Sequence, residues 1–452
     1  MTQELYIEGN KVDMFDDVVS LQYRSNLFGD LASITSSNSL TIRLPKTPRN
    51  NKVLGFSDVP YSTSFERRWY NVSYLRNGIP ILNGKLKLLS TTVTEYEVCI
   101  MWGIIKWIQD VVESEETLRN LPFFGNSLLR IVDESLYSTE KGILFGYYYY
   151  KNGSMYAFPV VSVKWIFVVI IGYLFGNDNI TLFVDVSDLD DYYINFNEDL
   201  IKELNVDLSV RPPQEPSFSI KDYIPNIKII DFFKAICQMM GWYVEVLPNG
   251  KLGLIEMSII FNDENVIDWS EKLISGDIPD SISFDYKDYA QRNFMRYKED
   301  DTVDFSADGY ISVSDATISK DKTLFTLPFA PTYKGEIKQY VQYLNDEGEL
   351  EMEFTETQPR IMKVVELPYR DYYGVEFTED MYFQRIISER YSELQTIIEK
   401  PIMVTARFKL NEFDLLSLNF MRLVYVEQYG SVFAIIEVQN QGEESVVKLL
   451  KV

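Results

Sequence analysis

The sequence contains no histidine. That removes Ser-His-Asp and Cys-His catalysis, His-ligated zinc and haem, and any imidazole pH switch. Cysteine is nearly absent: Cys99 and Cys237 are the only two. Each sits inside an apolar run, EVCIMW and KAICQMM, and both are read as buried free thiols rather than as a disulfide. Basic residues are outnumbered, Lys+Arg 43 against Asp+Glu 67 for a net charge of −24. A field of that sign repels phosphate backbones and anionic lipid, so sequence-specific nucleic-acid binding is not expected. The amino-terminal stretch MTQELYIEGNKVDMF has no basic segment, apolar core or small-residue cleavage site, which predicts a protein made and kept in a cytosol. Long apolar runs are missing too. The most hydrophobic stretch, Val160 to Phe175, has 16 residues and carries Lys164. Crossing a bilayer takes ~20. A buried helix behind Pro159 and stopped by Gly176 is expected there instead of a span.

What is present is enough apolar material to fold. Hydrophobic residues are 46% and charged residues 24% of the 452, and a domain of ~100–200 residues implies about three units. Over the first hundred residues, strand-like runs alternate with turn cues at Gly9-Asn10, Asn77-Gly78 and Asn83-Gly84, which predicts an antiparallel barrel or sandwich. CIMWGIIKWIQDVVESEETLRN then shifts to helical spacing. Two segments look alike: Pro159 and Pro225 each precede an apolar helical run closed by a glycine, Gly176 and Gly241, and each run is followed by extended sequence. Between them RPPQEP, 211–216, reads as a linker. After residue 280 the pattern is again mostly β, with one helix over MYFQRIISERYSELQTIIE whose core face is Met381, Ile387, Tyr391, Leu394 and Ile398. The expected fold is α+β, mainly β and multidomain, with barrel or sandwich domains at both ends and helix-containing modules inserted. The divisions fall at 1–110, 111–210, 211–280 and 281–452.

Chemistry is hard to find. Asp190-Asp191, Glu115-Glu116 and Asp300-Asp301 are conspicuous, but neighbours in sequence point apart, and in a chain with 67 acids they read as solvated surface. The run DDTVDFSADG, 300–309, lacks the spacing of a calcium loop and reads as a solvated turn at Asp308-Gly309. No nucleophile elbow, phosphate loop or dinucleotide fingerprint occurs. Tyr 31 and Trp 6, with Tyr147 to Tyr150 consecutive, suit strand packing first and interfaces second. No catalytic, cofactor-binding or metal-ligating residue is assigned, and no cofactor is expected.

Three segments resemble tail proteins of tailed bacteriophages and prophages, particularly those of Bacteroidetes hosts. The first is ELYIEGNKVDMF with SLTIRLPKTPRNNKVLG, where Leu44, Pro45, Thr47, Pro48, Asn50 and Asn51 carry the likeness. The second is Ile224-Pro225, the helix IIDFFKAICQMMGWYVEV, Asn249-Gly250 and Ile267-Asp268-Trp269-Ser270. The third runs from Tyr382 through KPIMVTARFKLNEFDLLSLNF to VVKLLKV. The resemblance implies a tail or baseplate hub subunit, built of β-barrel domains that join into a ring around the tail axis. It would be a trimer, or alternatively a hexamer, contacting tail-tube and distal tail proteins. Such a protein is assembled in the host bacterial cytoplasm and resides in the virion. Leu44, Pro45, Phe233, Gly241 and Trp269 are the structural or interface candidates, and the Trp269 ring is expected to cover one end of the core that the helix 231–241 anchors. The competing classes are a surface carbohydrate-binding or adhesin protein and a carboxylate-dependent glycan hydrolase.

Overall fold

Turn chemistry organises the first strands. The computed structural model describes residues 2–26, 37–57, 59, 68–121, 128–130, 137–138, 143–149, 155–195, 217–219, 224–261, 265–284, 289–300, 305–331, 340–344, 350–354, 358–366 and 373–452. β1 (Gln3–Ile7) turns into β2 (Asn10–Val12) through Glu8 and Gly9, both at positive φ. The turn therefore lies one residue earlier than expected. β3 is Ser20–Arg24, β4 Ser37–Ser39 and β5 Ile42–Pro45, followed by the short helix α1, Pro48–Val53. β6 (Tyr70–Arg76) and β7 (Ile79–Thr91) are joined by Asn77-Gly78, at φ 51° and 78°, as their sequence requires.

Asn83-Gly84 is not a turn. It lies inside β7, where Gly84 pairs with Val72 on one side and Trp102 of β8 (Glu95–Trp102) on the other. A Cβ at Gly84 would stand 2.3 Å from the Met101 carbonyl oxygen. The glycine is there for close strand approach rather than for a bend.

The carboxy-terminal segment completes the same sheet. β9 (Ile267–Asp268), β10 (Ser281–Ser283), β11 (Met403–Lys409), β12 (Leu423–Val426), β13 (Ser431–Gln441) and β14 (Glu444–Lys451) bring it to 14 strands. The order is β10-β11-β14-β13-β3-β4-β8-β7-β6-β1-β2, with β12 on β13, β9 on β12 and β5 on β8. β3 pairs with β13 from Leu21 opposite Asn440 to Arg24 opposite Glu437. The two ends of the chain thus share one sheet, and among the described residues it stays open instead of closing as a barrel. The chain is a mainly β, α+β, multidomain protein.

Helices and smaller sheets fill the middle. α2 (Ile105–Ser114) follows β8. The 160–175 stretch is divided: Met155–Ser162 is strand, and the helix α3 is Val163–Leu174. Ser162 caps α3 by accepting from the Trp165 N–H, and Gly176 at φ 70° follows its end. Val163, Ile166, Phe167, Ile170, Ile171 and Leu174 are buried, Val168 is exposed, and Lys164 pairs with Asp190. No helix of the described residues is long and apolar enough to cross a membrane.

α4 (Ile229–Met240) packs on α2 and α3, and the strands 242–246 and 252–256 that follow it join 180–182, the strand after α3. The two similar segments therefore form one unit, a helix pair on a three-stranded sheet. Met257–Phe261 forms α5. The expected long helix after residue 380 is two, α6 (Phe383–Arg390) and α7 (Ser392–Glu399), and α8 is Glu412–Leu416. Tyr391 leaves helical geometry between α6 and α7, with φ −126°, and its buried hydroxyl donates to the Gln238 carbonyl. The core face still holds: Met381, Ile387, Tyr391, Leu394 and Ile398 are all buried. The linker 211–216 and Tyr150 lie outside the described residues.

Candidate functional site

Four of the conspicuous carboxylates, Asp190, Glu115, Glu116 and Asp300, have a structural partner. Asp190 holds Lys164, Glu115 holds Lys228 at 2.9 Å, and Glu116 accepts from the Tyr173 hydroxyl at 2.6 Å. That hydrogen bond, with partial burial, pushes the Tyr173 phenol up to about 12. Asp300 is not a solvated acid. Its side chain is 6% exposed and forms an ion pair with Arg360, itself 6% exposed, while Asp301 lies outside the described residues. Burial lowers the Arg360 pKa, and Asp300 opposes that. Asp308-Gly309 is not a solvated turn either. Asp308 holds Arg296 at 3.3 Å and accepts the Tyr297 N–H at 3.0 Å, and Gly309 opens a strand. A Cβ on Gly309 would come within 2.6 Å of the backbone at Phe383 and Gln384. Among the described residues no group of three metal-ligating side chains converges. Cys99 is half-buried and Cys237 buried, and burial raises both thiols out of the reactive range.

The candidate residues occupy three separate places. Leu44 is fully buried in β5, opposite Tyr96, and Pro45 ends that strand. Beyond it, Thr47 caps α1 by accepting from the Asn50 N–H and donates to Asp13 at 2.6 Å; Pro48 occupies the first turn, where a missing N–H costs nothing. Buried Asn50 donates at 2.8 Å to the carbonyls of both Asp13 and Pro45 and accepts the Asp13 N–H, while Asn51 accepts the Tyr96 hydroxyl at 3.0 Å. The sequence marker Leu-Pro-x-Thr-Pro-x-Asn-Asn is therefore a polar knot that fastens α1 between β2 and β8.

Phe233 stands on α4, stacked on Phe167 of α3 at 5.4 Å and 6° and edge-on to Phe175 at 5.6 Å. Its helix is buried far more widely than one apolar stripe: Ile229, Phe232, Phe233, Ala235, Ile236, Cys237, Met239 and Met240 are all enclosed. Gly241 ends α4 at φ 66°, and a Cβ there would meet Arg390 Cβ at 2.9 Å.

Trp269, expected over the core of α4, lies elsewhere. Its N–H donates to the Tyr425 carbonyl at 2.9 Å, its ring meets Phe408 of β11 at 5.4 Å, and Lys272 stands 5.9 Å above it. Asp268 accepts the N–H and hydroxyl of Ser270, whose oxygen accepts the Glu427 N–H at 2.8 Å. Asp-Trp-Ser is thus a clasp onto the carboxy-terminal part of the large sheet.

One group that composition does not reveal ties the chain's ends together. Arg76 is fully buried; its guanidinium donates to Asn440 Oδ1 at 2.6 Å, to the Gly442 carbonyl at 3.0 Å and to the Val19 carbonyl at 3.3 Å. In sequence it is only a charged residue closing a hairpin strand. Its strand position on the inward face, between buried Tyr74 and the Asn77-Gly78 turn, is the signal that could have found it.

No protein-family model matches the chain, and no curated protein does. Among solved structures it is similar to the prophage MuSo2 43 kDa tail protein from Shewanella oneidensis, at 10% identity over 99% of this chain and 97% of that one, TM-score 0.41. It is similar also to the tail protein from Neisseria meningitidis MC58, at 8% identity over 99% and 96%, TM-score 0.42. A third is prophage tail protein gp18 from Listeria monocytogenes EGD-e, at 8% identity over 100% and 94%, TM-score 0.34. Likenesses this distant carry no functional weight.

Proposed function

We propose that the chain is a structural subunit of a tailed-bacteriophage or prophage tail, a baseplate or tail-hub protein that assembles with copies of itself into a ring, trimeric or hexameric, around the tail axis. It works by assembly and not by turnover. The observation that carries this is the convergence of three separately recognised segments on one frame. The Leu44 to Asn51 knot and the Asp268-Trp269-Ser270 clasp both fasten onto the large sheet, whose carboxy-terminal strands belong to the third segment. Of the conspicuous acids, Asp190, Glu115, Glu116 and Asp300 serve in ion pairs and hydrogen bonds among the helices and smaller elements between the two halves of that frame. Tail-tube and distal tail proteins are the expected neighbours, the virion the expected location, and a Bacteroidetes host the expected setting. A lumen lined by this acidic protein would repel DNA in passage.

One feature favours a glycan-binding reading instead. A cleft of about 490 Å³ is lined by Tyr23, Trp102, Trp107, Lys106 and Glu245. Against it, Tyr23 and Trp102 are buried and packed edge to face at 5.3 Å, so they present no flat ring to a sugar. Mass photometry with electron microscopy of the purified chain separates the two readings. Concentration-dependent rings with a central channel are expected. A monomer at every concentration that binds or cleaves glycans would overturn the assignment.

A further inference from the structure

Asparagine is followed by glycine at 77–78, 83–84, 152–153 and 249–250. Such a step is chemically weak, because asparagine is a thermolabile residue and a glycine, having no side chain, lets its amide nitrogen approach the asparagine Cγ. Reaction needs that nitrogen free and room to move. At Asn83-Gly84 there is no room: the glycine lies in β7 between two paired strands, with the Met101 carbonyl pressed against it. At Asn249-Gly250 the nitrogen is engaged, donating to the Leu247 carbonyl at 2.8 Å. Asn77-Gly78 has neither restraint. Both residues are exposed, a Cβ on Gly78 would meet nothing within 4 Å, and the Gly78 N–H has no hydrogen-bond partner among the described residues. The amide it faces is already polarised: Asn77 Oδ1 accepts the Thr2 N–H at 3.0 Å, and Nδ2 donates to Glu412 Oε1 at 2.8 Å. Asn152-Gly153 lies outside the described residues.

We propose that Asn77 is a self-modification site, which loses ammonia through attack by Gly78 and becomes aspartate or isoaspartate in the folded protein. The Gly78 nitrogen bonds to Cγ while the Cγ–Nδ2 bond breaks; its proton leaves with Nδ2 as ammonia, and a cyclic imide remains. Water then adds to one of the two imide carbonyls. Opening at the side-chain carbonyl gives aspartate, and opening at the main-chain carbonyl gives isoaspartate, whose backbone runs through the side chain. Water is the only co-reactant. The Thr2 N–H assists, because it donates to the oxygen on which negative charge gathers as the nitrogen adds. The consequence falls on the seam between the two ends of the chain. Asn77 exchanges hydrogen bonds with Thr2 and reaches Glu412, the first residue of α8, while Arg76 beside it holds Asn440 and Gly442. After conversion the Nδ2 donor is gone and a carboxylate faces Glu412 across the same contact. Attraction there becomes like-charge repulsion. The reaction proceeds in the lone chain, independent of any ring.

The test holds the purified full chain in mildly alkaline buffer, folded or in urea, and samples it by peptide mass spectrometry. Trypsin releases 77–85, which carries both Asn77 and Asn83, and 235–251, which carries Asn249. Fragmentation assigns the mass gain of amide-to-acid conversion to one asparagine, and isoaspartyl methyltransferase labels the isoaspartate. In the folded chain Asn77 should convert at least about tenfold faster than Asn83 or Asn249; in urea the three should convert at comparable rates. Equal rates in the folded chain, or an Asn77 that converts in urea and stays intact when folded, would overturn the proposal. A second measurement reads the seam. Asn77→Asp should lower the melting temperature by roughly 1–4 °C, and adding Glu412→Gln, whose amide donates to the new carboxylate, should recover most of that loss. If Asn77→Asp melts like the parent, or Glu412→Gln recovers nothing, the new charge does not act on α8 and that consequence is refuted.

Discussion

Replacing Phe233 by Ala tests the central helix most directly. Phe233 is 1% exposed, stacked on Phe167 and edge-on to Phe175, so the substitution leaves a cavity between two helices that the stacked rings hold together. Truncating a buried Phe costs ~3–5 kcal/mol, the upper part of that range applying where neighbours cannot collapse into the gap. Collapse is hindered here because α4 is enclosed on nearly every side. At about 2–4 °C per kcal/mol for a cooperative unit of ~150–250 residues, the melting temperature should fall by roughly 6–20 °C. Differential scanning calorimetry gives the shift, and urea unfolding gives the free energy where the transition is two-state. A cycle with Phe167→Leu and Phe233→Leu isolates the stacking, for which ~0.5–1.5 kcal/mol of coupling is expected. If Phe233→Ala melts within about 1 °C of the parent, or the cycle shows no coupling, α3 and α4 are not packed through these rings.

Trp269→Ala should also cost ~3–5 kcal/mol; it should couple to Phe408→Leu but add independently to Phe233→Ala, and coupling to Phe233 in chemical denaturation would place the tryptophan back on α4. Asp300→Asn should destabilise by ~3–5 kcal/mol by stranding the buried Arg360 charge, and parent-like melting would mean the pair is not formed. Gly241→Ala, at φ 66° against Arg390, should cost at least ~1–2 kcal/mol, and a neutral result would disprove the left-handed cap. Asp185, Asp268 and Asp315 titrate below the ordinary 3.8 because the side chain and N–H of Ser187, Ser270 and Thr317 donate to them. Lowered carboxylates stabilise fully above their unfolded value and stop doing so as pH falls through the folded one, so the melting temperature should drop on acidification below about pH 4; a flat profile there would contradict these clasps.

Much of the local structure was legible, and where it was not, a long-range contact had overruled a local cue. Asn77-Gly78 made its turn because both residues reach positive φ cheaply, and the long-range hydrogen bonds of Asn77 to Thr2 and Glu412 are compatible with it. Asn83-Gly84 carries the same letters, but its glycine is spent on the 2.3 Å approach of Met101 from the next strand, which local sequence does not show. The helix over 381–399 has correct periodicity and breaks at Tyr391, whose side chain is drawn in to the Gln238 carbonyl, on a helix 153 residues earlier in the chain. Asp300 looked solvated beside Asp301 because its partner Arg360 comes from a distant segment. Of the candidate residues, Pro45 and Gly241 are explained by a neighbour close in sequence and by backbone geometry, and Leu44 by its pairing opposite Tyr96 in the adjoining strand. Trp269 was placed on the wrong core because its contacts, Phe408 and Tyr425, are far along the chain.

The strand order also constrains how such a chain reaches its folded state. β3 has β4 on one side and β13 on the other, so a strand formed by residues 20–24 has one edge bare until residues 431–441 exist. Arg76 has the same dependence, since Asn440 and Gly442 supply two of its acceptors and a buried guanidinium without acceptors is strongly unfavourable. Pairings this distant carry a large closure cost before they return any stability, and bare edges in the interval invite pairing with other chains. Two features at the amino-terminal end limit that hazard. The β1–β2 edge is short and carries Lys11 paired with Glu4, and the α1 knot fixes β5 through contacts made entirely within the first hundred residues. The first segment can thus hold its local shape while the long-range half of the sheet waits for the end of the chain. The segments carrying the tail-protein resemblance include the α1 knot that does the holding and the terminal strands that complete the sheet.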